Sequence, residues 1–157
     1  MSTSHLEQRK SNLKQAFTTV LENSLLTKNS EVMENTPTRA TKALLEMTEG
    51  YLEADLPKIK KAIFPLEGNP QLVIANGIEV KSCCEHHLLP FMGKCSIAYI
   101  PNEKILGLSK FTNIVRMYSR RFQLQERLTE QIVNFIQETL QPKGIAVYIQ
   151  SKFITFE

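Results

Sequence analysis

Apolar side chains recur at helical spacing through residues 6–26, at Leu13, Phe17, Val20, Leu21 and Leu25, and predict a helix there. Residues 27–35 are polar and predict a loop. Thr36-Pro37 carries the start signal of a second helix, with threonine as N-cap and proline at the first helical position, and Gly50 marks its stop. Residues 51–70 hold Pro57, Pro65, Gly68 and Pro70 and predict mostly loop. The period then changes. QLVIANGIEVK (71–81) is rich in β-branched residues and predicts a strand or a bent strand pair, and GKCSIAYIP (93–101) predicts another. Phe111, Ile114, Val115 and Tyr118 mark a third helix. Leu124, Leu128, Ile132, Ile136 and Leu140 mark a fourth, closed by Gln141-Pro142-Lys143-Gly144. IAVYI (145–149) predicts a third strand. The order helix, helix, strand, strand, helix, helix, strand is an α+β pattern with antiparallel hairpin logic.

A chain of 157 residues suits one domain with a substantial core. The net charge of +3 is small, and Lys and Arg are interleaved with Asp and Glu, so no basic stripe argues for nucleic acid. No apolar run approaches 18 residues, which argues against a membrane span. The start MSTSHLEQRK lacks the apolar stretch of a signal peptide, and the expectation is a cytoplasmic protein. In that compartment Cys83, Cys84 and Cys95 do not read as a disulfide framework. They are free to be structural thiols or metal ligands. The histidines are His5, His86 and His87, so nitrogen and sulfur donors are scarce and they cluster.

The cluster is Ser82-Cys83-Cys84-Glu85-His86-His87, placed between two predicted strands. A cysteine and a histidine three residues apart can reach one zinc ion. A pair of buried thiols beside surface histidines is the plain alternative. Catalytic zinc takes three protein ligands and keeps an open water position, so a third ligand has to come from elsewhere.

CCEHHLLPFMGKCSIAYIPNEKILGLSK resembles the signature of the GTP cyclohydrolase I family, in which a CEHH turn leads through PF-x-G and a strand to YIP and GLSK. RRFQLQERLTEQI is similar to the family's second signature. The likeness extends upstream to TPTRATKALLE and downstream to QPKGIAVYI. The resemblance implies the tunnelling fold: an antiparallel sheet with two long helices on one face and an N-terminal helical extension. On that pattern residues 1–55 are the helical region and 56–157 the tunnelling-fold domain, without its last strand. It implies a homo-oligomeric, decamer-like ring with active sites between subunits, or a hetero-oligomer with a full-length homologue. The implied reaction is hydrolytic opening of the guanine ring of GTP, giving formate and dihydroneopterin triphosphate for folate or tetrahydrobiopterin synthesis. Its chemistry is a zinc-activated water with histidines moving protons. Carried over residue by residue, Cys84 and His87 match zinc ligands and His86 a catalytic histidine. Ser109 and Lys110 match residues near the triphosphate and sugar, and Gln125 and Glu126 match the guanine-reading pair.

The chain also departs from the family. The family's second catalytic histidine falls at Phe153 and its third zinc cysteine at Thr155. Phenylalanine carries no proton to move, and a neutral threonine hydroxyl is a poor zinc ligand. A phosphate-binding arginine is Asn113, and a histidine of the second strand is Ser96. Cys83, Cys95 and Glu157 remain as other sources of a third ligand. The departures at Asn113 and Ser96 lie upstream of the tail and suggest divergence rather than truncation alone. The expectation is a cyclohydrolase-type protein, with a non-catalytic subunit or purine- or pterin-binding protein as the alternative, and another reaction at a rebuilt metal site as the weakest.

Overall fold

The N-terminal periodicity becomes α1, Thr3–Ser24, in the computed structural model, which describes residues 3–24 and 30–154. Leu25 lies outside the described residues. Leu13, Phe17 and Leu21 form a half-buried stripe, while Val20 is exposed. α2 is Ser30–Met47, so it begins before Thr36 and takes Pro37 into its interior. The Thr-Pro signal misled: Pro37 lies inside the helix, where its ring removes one backbone bond and crowds the carbonyl four residues back. Glu31 sits in the first turn, where an acid complements the helix N-terminus, and pairs with Arg39 at 3.1 Å.

The described chain divides into two compact units, Met1–Glu46 and Met47–Glu157. The second opens with a short 3-10 turn, Glu49–Leu52. The segment expected to be mostly loop also holds α3, Leu56–Lys60, and β1, Ile63–Pro65. Pro57 stands in the first turn of α3, where a missing N–H costs nothing. β2 is Val73–Cys84, one strand rather than a pair, bent by a bulge between Ala75 and Ile78. Gly77 has φ +72° there, a conformation in which a side chain would be strained. The strand therefore runs on through Ser82, Cys83 and Cys84, which the sequence pattern had placed between strands.

β3 (Pro90–Ile100), β4 (Lys104–Leu106), α4 (Ser109–Ser119), β5 (Phe122–Gln123), α5 (Gln125–Leu140) and β6 (Gly144–Phe153) follow. β6 runs past the expected strand on the C-terminal side. The main sheet has the order β5-β2-β3-β6, and β1 pairs with β4 apart from it. β2–β3 and β3–β6 are antiparallel. The short β5 lies parallel to β2, with Cys83 opposite Phe122 and Cys84 opposite Gln123.

α4 packs on β2 and α5 on β6, so both long helices of this unit cover one face of the sheet. Their spacing explains it: Phe111, Ile114 and Val115 from α4, with Leu128, Ile132, Ile136 and Leu140 from α5, fall on single helical faces and are fully buried. They meet Val80, Phe91, Cys95, Ile97 and Tyr99 from the sheet. On the other face Ile74, Met92 and Tyr148 are exposed in the single chain.

Candidate functional site

The turn after β2 is fastened by its own backbone. The Cys84 N–H donates to the Leu89 carbonyl and the Leu88 N–H to the Cys84 carbonyl, both at 2.9 Å. Leu88 adopts a left-handed φ of 59°, which turns the chain back into β3. The Glu85 N–H donates to the Gln123 carbonyl at 3.2 Å, extending the pairing of β5 along β2. Cys83 and Cys84 are buried, whereas His86 and His87 are exposed. The alternation of a strand accounts for the two cysteines pointing to different faces.

The second half of the site is the start of α5. Gln125 is half-buried and Glu126 exposed in the first turn. The Gln125 amide donates to the Ile149 carbonyl at 3.3 Å and its oxygen accepts from the Ser151 hydroxyl, so it is spent on β6. The Glu126 carboxylate makes no ion pair among the described residues. Arg127 passes over its local neighbours and forms a two-pronged ion pair with Glu85, one prong at 2.9 Å. The guanidinium holds the Glu85 carboxyl below the usual range. Sequence reasoning missed this pair, since no periodicity or motif joins a turn to a helix start.

Cys84, His86, His87, Gln125 and Glu126 thus stand at one end of the sheet. Ser109 and Lys110 do not join them within one chain. Ser109 starts α4 just after β4, and the Leu106 N–H donates to the Tyr99 hydroxyl near the far end of β3. β3 spans about 33 Å at the usual rise per residue. α4 then returns towards the site, leaving Ser109 roughly 15 Å along the helix axis from Ser119. Asn113 is half-buried on α4, and Ser96 donates to the Asn76 side chain at 2.6 Å on the exposed face.

The donor set fits one side of a zinc centre and does not complete it. Cys84 offers sulfur and His87 nitrogen, and among the described residues no group of three or more His, Cys, Asp or Glu side chains could hold a metal. The Cys83 thiol donates to the Leu88 carbonyl at 3.1 Å, and burial, with Cys84 beside it, pushes its pKa up. The Cys95 thiol is pushed up to about 12 by burial in the core. Burial works against the thiolate form at both positions. Nδ1 of His87 accepts from the Leu89 N–H at 3.2 Å. Metal uptake through either ring nitrogen breaks that bond: at Nδ1 the metal takes the lone pair, and at Nε2 the ring proton must move to Nδ1. Phe153 lies opposite Phe91 in the β3–β6 register. Thr155 and Glu157 lie outside the described residues.

Residues 13–156 match the family model of GTP cyclohydrolase I. The chain belongs to the GTP cyclohydrolase I family. It is 48% identical over 119 residues to the GTP cyclohydrolase 1 of Gloeobacter violaceus, a match covering 76% of this chain and 55% of that protein. It is 43% identical over 143 residues to that of Chlorobium chlorochromatii, covering 91% of this chain and 64% of that protein. This family member thus spans a little over half to two thirds of the length of those relatives. Among solved structures, the archaeosine synthase QueF-Like in the apo form aligns with a TM-score of 0.51 at 24% identity, over 55% of this chain and 86% of that one. That likeness concerns fold, and it agrees with the tunnelling fold implied by the signature residues. No helix among the described residues is long and apolar enough to cross a membrane.

Proposed function

We propose that this family member acts in the GTP cyclohydrolase I reaction, the hydrolytic opening of the guanine ring of GTP with release of formate. The observation that carries the reading is the fastening of the CEHH turn beside the first turn of α5, with His86 and Glu126 both exposed. A carboxylate can accept from the guanine N1–H and exocyclic amine together. Glu126, exposed in the first turn, would do this, and Gln125, anchored to β6, would orient it. His86 would carry a proton to the purine.

Ser109 and Lys110, a helix length away from the turn, would serve the triphosphate and sugar of a site completed by a neighbouring copy. Lysine suits that role as a point charge on a phosphate. This supports a ring-like oligomer, as a homo-oligomer or with a full-length homologue. The family's zinc would be held by Cys84, His87 and a donor from outside the described residues. The cellular setting is cytoplasmic pterin supply, for folate or tetrahydrobiopterin.

The test is formate release from GTP, with GTP binding measured in parallel, by the purified chain alone and mixed with an intact cyclohydrolase. Release that Glu126→Ala suppresses supports the reading. GTP binding by the chain alone, with no release by it and none in the mixture beyond that of the intact enzyme, would make this a purine-binding family member. No binding by the chain alone and no added release in the mixture would sink the reading.

A further inference from the structure

We infer that the Glu85–Arg127 ion pair is a positioning clamp that fixes the His86–His87 turn against the first turn of α5, and so sets where Glu126 stands relative to the two histidines. The inference deepens the functional reading above and rests on it.

Several observations converge. Glu85 lies directly between Cys84 and His86, and Arg127 directly follows Glu126. Glu130 is within one turn of Arg127 on the same helix, yet the guanidinium reaches Glu85, 42 positions away. The contact uses both carboxylate oxygens and both terminal nitrogens. A planar fork on a carboxylate fixes angle as well as distance, which a lysine cannot do. The remaining fastenings leave this clamp a distinct task. The Glu85 N–H on Gln123 holds the backbone of the turn, and Gln125 holds the helix to β6. Neither of them ties the side-chain face of the turn to the helix.

The pair is also poorly placed to serve stability. The side chains of Arg127 and Glu85 are 42% and 29% exposed. Ion pairs this open contribute little to folding. Their consequence is therefore geometric, because a shift of about 1 Å between groups serving one reaction is costly to rate. Glu126, next in line, makes no ion pair among the described residues and is exposed to a ligand.

The experiment uses the full chain with Arg127→Gln, Arg127→Lys and the reciprocal Glu85→Arg/Arg127→Glu swap. It reads melting temperature, amide hydrogen exchange across residues 84–89, and kcat and KM for formate release from GTP. Arg127→Gln is expected to keep the melting temperature, to speed exchange in the turn, and to lower kcat by about 10- to 100-fold, the usual cost of losing an orienting partner. KM should move far less. Arg127→Lys should recover little, and the swap should recover most of the loss. Unchanged exchange in Arg127→Gln overturns the clamp whatever the activity. Faster exchange with kcat unchanged overturns its role in positioning. If the wild-type chain neither binds GTP nor releases formate, the functional reading fails, while the exchange comparison still decides whether the clamp exists.

Discussion

Phe153 stacks on Phe91, with ring centroids 4.7 Å apart and planes inclined by 26°. Phe91 is fully buried and Phe153 is 37% exposed, so the pair closes the site end of the core where the family carries a histidine. Replacing Phe153 by alanine should cost about 1–2 kcal/mol, less than a fully buried phenylalanine because part of the ring is already in water. Denaturant unfolding measures it. Phe153→His keeps a ring on Phe91 and adds a proton carrier, so formate release from GTP should rise. An unchanged rate would show that proton transfer at this position is not limiting.

Gln125 and Glu126 should separate cleanly. Gln125 is committed to Ile149 and Ser151, so Gln125→Ala should lower stability by about 1 kcal/mol. Glu126→Ala should leave stability unchanged and weaken GTP binding by about 1.5–3 kcal/mol, the usual value of a hydrogen bond to a charged group. Calorimetric titration with GTP and thermal unfolding together check the pair. Equal GTP binding by wild type and Glu126→Ala would make Glu126 a bystander.

The elements of the second unit were legible wherever a run of apolar residues had a single period. Leu128, Ile132, Ile136 and Leu140 announce α5, and all four are buried on one face. The short pieces β1, β4 and β5 were not legible, because three or two residues cannot establish a period and their pairing is tertiary. Pro37 misled because an N1 proline and an interior proline look alike in sequence. The CEHH turn and the Gln125-Glu126 pair stood out through the family pattern. Their fastening through Arg127 did not, because a salt bridge across 42 positions leaves no local trace.

Gly50 is fixed by close approach. A Cβ there would lie 2.2 Å from the Met117 carbonyl oxygen and 2.7 Å from that of Arg120, both backbone atoms. Its N–H also donates to the Arg120 carbonyl at 2.9 Å. Gly50→Ala must therefore push the 3-10 turn off the end of α4, where Arg121 is held between Tyr51 and Tyr118. The expected loss is about 3 kcal/mol, at the upper end of overpacking costs. A melting temperature equal to wild type would show that the turn can move freely.

Asp55 makes stability depend on acid pH. Burial pushes its carboxyl up, but Arg116 and Lys58 outweigh that and hold it below its ordinary value of 3.8. A carboxyl depressed in the folded state adds stability that is complete above the unfolded value and is lost as pH falls through the folded one. Stability should therefore decline below about pH 4 as Asp55 protonates. Asp55→Asn should cost about 1–2 kcal/mol at neutral pH, discounted because Arg116 is nearly half exposed, and should flatten the acid limb. Urea unfolding between neutral and acid pH tests both. A mutant as pH-sensitive as wild type would assign the limb to other carboxylates.

Cys84 and His87 supply two donors, and a firm catalytic zinc site takes three. Cys83 donates to the Leu88 carbonyl, and Cys95 is enclosed by apolar side chains in the core. The isolated chain should therefore bind zinc weakly and lose it to a mild chelator. Cys83→Ala and Cys95→Ala should leave zinc affinity unchanged, while Cys84→Ala should abolish what there is. Thr155→Cys places a thiol at the sequence position where the family carries its third ligand. A directly bound sulfur should raise affinity by more than the roughly 10- to 100-fold worth of an outer partner. Competition with a chromophoric chelator measures each variant, and cobalt absorption shows whether a second thiolate enters the coordination sphere. One tightly held zinc per wild-type chain, unaffected by Thr155→Cys but lost in Cys83→Ala or Cys95→Ala, would overturn this account. It would mean that the buried thiols leave their present partners to complete the site.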